Sequence, residues 1–170
     1  MIKIGQQAPE FKETAYVNGD FKEVSLSDYK GKWLVFFFYP LDFTFVCPTE
    51  LRAFAQMHKK FTDAGAEVLA CSTDSKFSHK AWYEKDLPEV KYPVLADFTK
   101  RVSRNYGVLN EDTGFANRGV FIISPEGKIE YAAVTATSVG RNTEEVYRIL
   151  RATQEPNNCP VNWQPGEKTL

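Results

Sequence analysis

Seven apolar residues in a row, WLVFFFY at 33–39, constrain this chain more than any other stretch. A strand with one face in water alternates apolar and polar side chains, whereas an unbroken run belongs to a strand covered on both faces. Covering both faces takes other layers of secondary structure, so the run asks for an α/β domain with a sheet at its centre. It is far too short to span a bilayer.

The flanking segments agree. In 48–65, Leu51, Phe54, Ala55, His58 and Phe61 recur at helical spacing until Gly65. AEVLACST (66–73) reads as the next buried strand, and SKFSHKAWYEKD (75–86) as a helix stopped by Pro88. YPVLAD (92–97) is strand-like, and 99–108 is helical up to Gly107. Residues 118–135 form a hairpin turning at Pro125, Glu126 and Gly127. Residues 142–154 form an amphipathic helix with Asn142 as N-cap and Glu145 at capping-box spacing. Extra strands around Tyr16 and Val24 decorate the N-terminus. This order predicts a thioredoxin-like fold: a central mixed β-sheet flanked by helices, with an N-terminal β extension. One domain covers 1–155; residues 156–170 form a tail with no evident helix or strand.

Composition narrows the function. The 170 residues carry a net charge of −1, so no basic stripe invites nucleic acid. MIKIGQQAPEF at the start has no hydrophobic signal segment, and a cytoplasmic location is the simplest expectation. Three cysteines, Cys47, Cys71 and Cys159, are too few and too scattered for a disulfide scaffold. The two histidines, His58 and His79, do not stand at zinc-like spacing from a cysteine pair, so no metal is expected. No glycine-rich dinucleotide fingerprint occurs, and no cofactor is implied.

The chemistry gathers after the apolar run. Cys47 follows a strand and opens the next helix, whose free N–H groups and partial positive charge stabilise a thiolate. Pro48 and Thr49 start that helix and leave Cys47 at its exposed end; a buried structural cysteine is the alternative. Glu50 stands where a dithiol oxidoreductase would have its second cysteine. A lone thiolate cannot perform dithiol exchange, but it can attack peroxide oxygen. The leaving oxygen gathers negative charge and needs donors. The Thr44 hydroxyl is one candidate; the Arg118 guanidinium, opening the buried strand RGVFII, is another. Pro40 can shield the sulfur from bulk water.

YPLDFTFVCPTE resembles the peroxiredoxin signature, in which Pro40, Thr44 and Cys47 fill the pattern P-x-x-x-T-x-x-C. RGVFII and CPVNWQPGEKTL resemble later segments of the typical two-cysteine group, in particular its bacterial alkyl hydroperoxide reductase subunits, and the likeness runs along nearly the whole chain. The resemblance implies a thiol-dependent peroxidase for hydrogen peroxide and alkyl hydroperoxides. It implies that Cys159, in the tail of another subunit, is the resolving cysteine that forms a disulfide with Cys47. It places Glu50 in a hydrogen-bond network near the active-site arginine, although a first-turn glutamate favoured by the helix dipole reads the same way. It gives Arg141 a supporting role, although exposed arginines before helices are common. The implied partners are a thioredoxin-like protein or a flavoprotein disulfide reductase, and other copies of the chain as antiparallel homodimers, five of which join in a decamer.

Overoxidation-sensitive members of the family carry a Gly-Gly-Leu-Gly insertion before the segment matching YPVLAD and a Tyr-Phe pair near the C-terminus. DLPEVKYPVLAD has no such insertion, and the tail no such pair. Fast disulfide formation and resistance to sulfinic acid are therefore expected, with a tail held down by little. Cys71 reads as a buried small hydrophobe. His58 reads as packed on its helix face, and His79 has no assigned role. Two other readings stand beside the main one: a one-cysteine peroxidase resolved by an external thiol, and a holdase chaperone role.

Overall fold

The computed structural model describes residues 2–170. Its centre is a seven-stranded mixed sheet in the order β2-β1-β5-β4-β3-β6-β7. The apolar run becomes β3 (Trp33–Phe38), which lies between β4 (Ala66–Ser72) and β6 (Arg118–Ile123). It pairs parallel with β4 and antiparallel with β6. Successive side chains point to opposite faces. Val35, Phe37 and Tyr39 enter one core, and Leu34, Phe36 and Phe38 enter the other. That division is why the run has no polar position.

The first core is roofed by α1 (Cys47–Asp63), α2 (Lys76–Asp86) and α4 (Thr143–Gln154), through Leu51, Phe54, Met57, Phe61, Trp82, Val146 and Leu150. Met57 takes the inward place on α1, while His58 is half-buried with its ring edge-on to Tyr92. The second core packs against α3 (Arg101–Asn105) through Val102 and Tyr106. The hairpin β1 (Lys12–Val17) and β2 (Asp20–Ser25) is the N-terminal extension, and β1 joins the sheet antiparallel to β5 (Val94–Ala96). The second hairpin closes with β7 (Ile129–Thr135).

Three expectations shift. The strand near 92–97 keeps only Val94–Ala96, and the helix near 99–108 only Arg101–Asn105. Asp97 explains both limits: its carboxylate accepts the backbone N–H groups of Val102 and Ser103, and Lys100 turns left-handed at φ 62° to allow it. Asn142 caps α4 by accepting the Glu145 N–H, but the Glu145 carboxylate does not return to the cap. It binds Arg148 instead at 2.6 and 2.8 Å. Among the described residues, no helix is long and apolar enough to cross a membrane.

Candidate active site

The site is assembled where β3 gives way to α1. The connecting loop is pinned at Asp42, whose carboxylate accepts hydrogen bonds from the Tyr39 hydroxyl at 2.6 Å and the Ser78 hydroxyl at 2.8 Å. The His79 ring lies 2.8 Å from the same carboxylate through Nδ1. The Asp42 N–H in turn donates to Asp74. Phe43 turns left-handed at φ 55°, a conformation that a bulky residue adopts only under constraint. The loop then delivers Cys47 as the first residue of α1.

Cys47 is not exposed, as a helix-end position implies; it is 1% accessible. The covering comes from residues distant in sequence. A cleft of about 230 Å³ is lined by Pro40, Thr44, Phe45, Val46, Cys47, Phe115, Arg118 and Thr137. Pro40 is itself buried beside the sulfur's approach. Thr44 lines the cleft, but its hydroxyl donates to the Leu41 carbonyl at 2.8 Å. In this arrangement it offers lone pairs to an incoming molecule. Donating to a leaving oxygen requires it to release Leu41.

Arg118 is 3% exposed and is shared. Its Nη1 donates to Cys47 Sγ at 3.4 Å and to Glu50 Oε2 at 2.6 Å, while Nε donates to the Thr137 carbonyl at 2.8 Å. Glu50 is 2% exposed, one turn along α1 from the cysteine. Arg141 is not an exposed arginine: its side chain is 3% accessible. Its Nε and Nη2 donate to the two Glu50 oxygens at 2.8 Å each, and its backbone N–H donates to Oε1 as well. Nη1 serves the Phe38 and Gly119 carbonyls, and the guanidinium lies 5.0 Å above the Phe37 ring. Gly119 matters here because a Cβ would stand 2.5 Å from Val108. Burial pushes the Glu50 carboxyl up, but the hydrogen bonds and charge of Arg141, helped by Arg118, outweigh it and hold it below the usual carboxylate range. Two buried guanidiniums thus face one buried carboxylate, and one of them also donates to the Cys47 sulfur.

Five of the residues singled out from the sequence thus surround Cys47 or its arginine: Pro40, Thr44, Glu50, Arg118 and Arg141. Cys159 does not join them. It is half-buried against α4, with Sγ 3.8 Å from the Ala152 carbonyl, and all three cysteines are free thiols. Cys71 is fully buried, and burial pushes its thiol up strongly, as an inert packing residue requires. The Tyr39, Asp42, Ser78 and His79 cluster is not legible in the motif. Its only sequence trace is His79, a polar residue on a helix face that otherwise packs inward.

Residues 4–132 match the model of the AhpC/TSA family. The chain is 48% identical over 174 residues to Peroxiredoxin 1 of Brugia malayi, covering 96% of this chain and 76% of that protein. It is 49% identical over 176 residues to the mitochondrial thioredoxin-dependent peroxide reductase of Rattus norvegicus, covering 98% and 68%. Among solved structures, the reduced 2-Cys peroxiredoxin of Plasmodium vivax superposes with a TM-score of 0.93 at 36% identity, covering 98% of this chain and 91% of that one. Enterococcus faecalis AhpC superposes with a TM-score of 0.88 at 43% identity, covering 91% and 93%. The chain belongs to the peroxiredoxins of the AhpC/TSA family, on a thioredoxin-like fold. It is a thiol-dependent peroxidase.

Proposed function

We propose that Cys47 is the peroxidatic cysteine and that Cys159 of a second subunit resolves it. The observation that carries the first half is the single Arg118 nitrogen shared between Cys47 Sγ and Glu50. Glu50, itself fixed by Arg141, and the Thr137 carbonyl hold that guanidinium in place, so its donor is aimed before the peroxide arrives. The Cys47 thiolate attacks the nearer peroxide oxygen. The O–O bond breaks, the sulfur becomes a sulfenic acid, and the farther oxygen leaves as hydroxide or alkoxide and takes up a proton. Thr44 orients the peroxide in the cleft, and Pro40 keeps bulk water from the sulfur. Hydrogen peroxide and short alkyl hydroperoxides suit a cleft of about 230 Å³.

The sulfenic acid then meets Cys159. Cys47 is buried and Cys159 rests on α4, so both segments must move before they bond. Residues 1–155 act as the peroxidase domain in this reading, and 156–170 as the resolving tail. A thioredoxin-like protein or a flavoprotein disulfide reductase then reduces the disulfide. The setting is the cytoplasm, and the assembly is a homodimer that builds a decamer.

The test is peroxide turnover by wild type, Cys47→Ser and Cys159→Ser with a thioredoxin system, beside non-reducing gels after one equivalent of hydrogen peroxide. Wild type turns over and gives a dimer band; both variants lose the band. If Cys159→Ser turns over with an added small thiol while wild type stays monomeric on the gel, the one-cysteine reading replaces this one.

A further inference from the structure

The tail carrying Cys159 has no helix or strand, yet it is built as a closed loop. The Leu170 N–H donates to the Asn158 carbonyl at 2.9 Å, and the Asn157 amide reaches the Thr169 hydroxyl, so its ends meet. Trp163 is the plug of the loop at 1% exposure. Its indole N–H donates to the Glu167 carbonyl at 3.0 Å, and its backbone N–H to the Pro160 carbonyl. This tail is held down, against the expectation that little would hold it.

One guanidinium of the body reaches into it. Arg148, on α4, is fixed by Glu145 through Nε and Nη2 at 2.6 and 2.8 Å. Its remaining arm, Nη1, donates to the Trp163 carbonyl at 3.1 Å. The Glu145 hydrogen bonds raise the guanidinium's affinity for its proton. In the docked loop the Cys159 S–H is directed at the Ala152 carbonyl of the same helix. A thiol held there is not aimed at another subunit.

We propose that Arg148 is a positioning residue for the resolving half-reaction: through the Trp163 carbonyl it latches the Cys159 loop onto α4 and sets how often that thiol is free to attack. The inference rests on Cys159 being the resolving cysteine. In the step concerned, the Cys159 thiol loses its proton and its sulfur attacks the sulfenic sulfur of Cys47. The S–S bond forms, the S–O bond breaks, and the departing hydroxide takes the proton to become water. The competing fate is a second peroxide, which oxidises the sulfenic acid to sulfinic acid. When the loop opens and closes faster than it reacts, the disulfide rate scales with the open fraction. A weaker latch therefore favours disulfide over sulfinic acid.

The test uses the full chain with Arg148→Ala and Arg148→Lys in single turnover with one equivalent of hydrogen peroxide, then with excess. Formation of the sulfenic acid keeps its wild-type rate, because Arg148 does not touch the Cys47 site. Disulfide formation accelerates about threefold or more in Arg148→Ala, as loss of a charge-assisted bond implies. Arg148→Lys falls between, since one ammonium cannot hold a carboxylate and a carbonyl in a planar fork. The sulfinic fraction under excess peroxide falls in step, and tryptophan emission of the reduced protein moves to the red. Trp163→Phe keeps the apolar plug without the indole N–H and shifts the rates the same way, which covers the case of Arg148→Ala failing to fold. Unchanged or slower disulfide formation in the folded variants overturns the latch. Should wild type show no disulfide between Cys47 and Cys159 at all, the resolving assignment fails first, and the two failures are told apart on the same gel.

Discussion

At the residue scale Glu50 is the centre of the site, a buried carboxylate that two arginines and a backbone N–H hold in its charged form. Its folded-state pKa lies below the ordinary glutamate value of about 4.3. Its contribution to stability is therefore fully present above that value and is lost as pH falls through the depressed folded-state pKa. Glu50→Gln removes this part of the acid limb and leaves two buried guanidiniums against no carboxylate, at a cost of about 3–5 kcal/mol near neutral pH. Denaturant titrations from pH 3 to 7 check it: wild type loses stability toward the acid end more steeply than the variant. Parallel curves would remove Glu50 from the charge balance. Arg118 is legible in the sequence, because a charged residue opening an apolar strand wants a reason. Arg141 was not decided by sequence, because an arginine before a helix looks the same whether its side chain is buried or exposed. The burial of Cys47 was equally hidden, since its cover comes from Phe115, Arg118 and Thr137.

At the scale of elements, the β3-to-α1 connection is held by one carboxylate. Asp42 accepts from Tyr39 and Ser78 and faces His79, tying the loop to α2. Asp42→Ala leaves those buried groups without their partner, at about 3 kcal/mol, or about 10 °C in Tm. It also frees the loop carrying Thr44, so oxidation of Cys47 by peroxide slows. Thermal unfolding and stopped-flow oxidation read the two effects; a normal oxidation rate in a destabilised variant would show that the pin serves stability alone. The strand and helix pattern of this region was plain from periodicity. The pin was not, because it joins residues more than thirty positions apart through a histidine without a motif. The short α3 has a similar cause: an Asp97 side chain, not a hydrophobic stripe, decides where it begins.

At the scale of the molecule, the surface near the site keeps large aromatics in water. Phe45 is 93% exposed, Phe77 67% and Phe43 55%. Phe43 lies 5.6 Å from the Trp82 ring on α2, and Phe77, at the start of the same helix, packs edge-on to Phe21 of β2 at 5.6 Å, so both carry exposed apolar area of the kind that subunit contacts cover. Phe77 tests whether this exposed area is where subunits meet in the proposed ring. Phe77→Glu should shift sedimentation velocity from the decamer toward the dimer in reduced protein. A variant with an unchanged sedimentation coefficient would place the ring contact elsewhere.

The mechanism depends on which sulfur meets peroxide first. The most direct measurement traps the sulfenic acid in Cys159→Ser with dimedone after one equivalent of hydrogen peroxide and maps the adduct by peptide mass spectrometry. The account predicts one adduct, on Cys47, and in wild type a peptide disulfide between Cys47 and Cys159 in its place. An adduct on Cys71, or an unmodified Cys47 while peroxide is consumed, would contradict it.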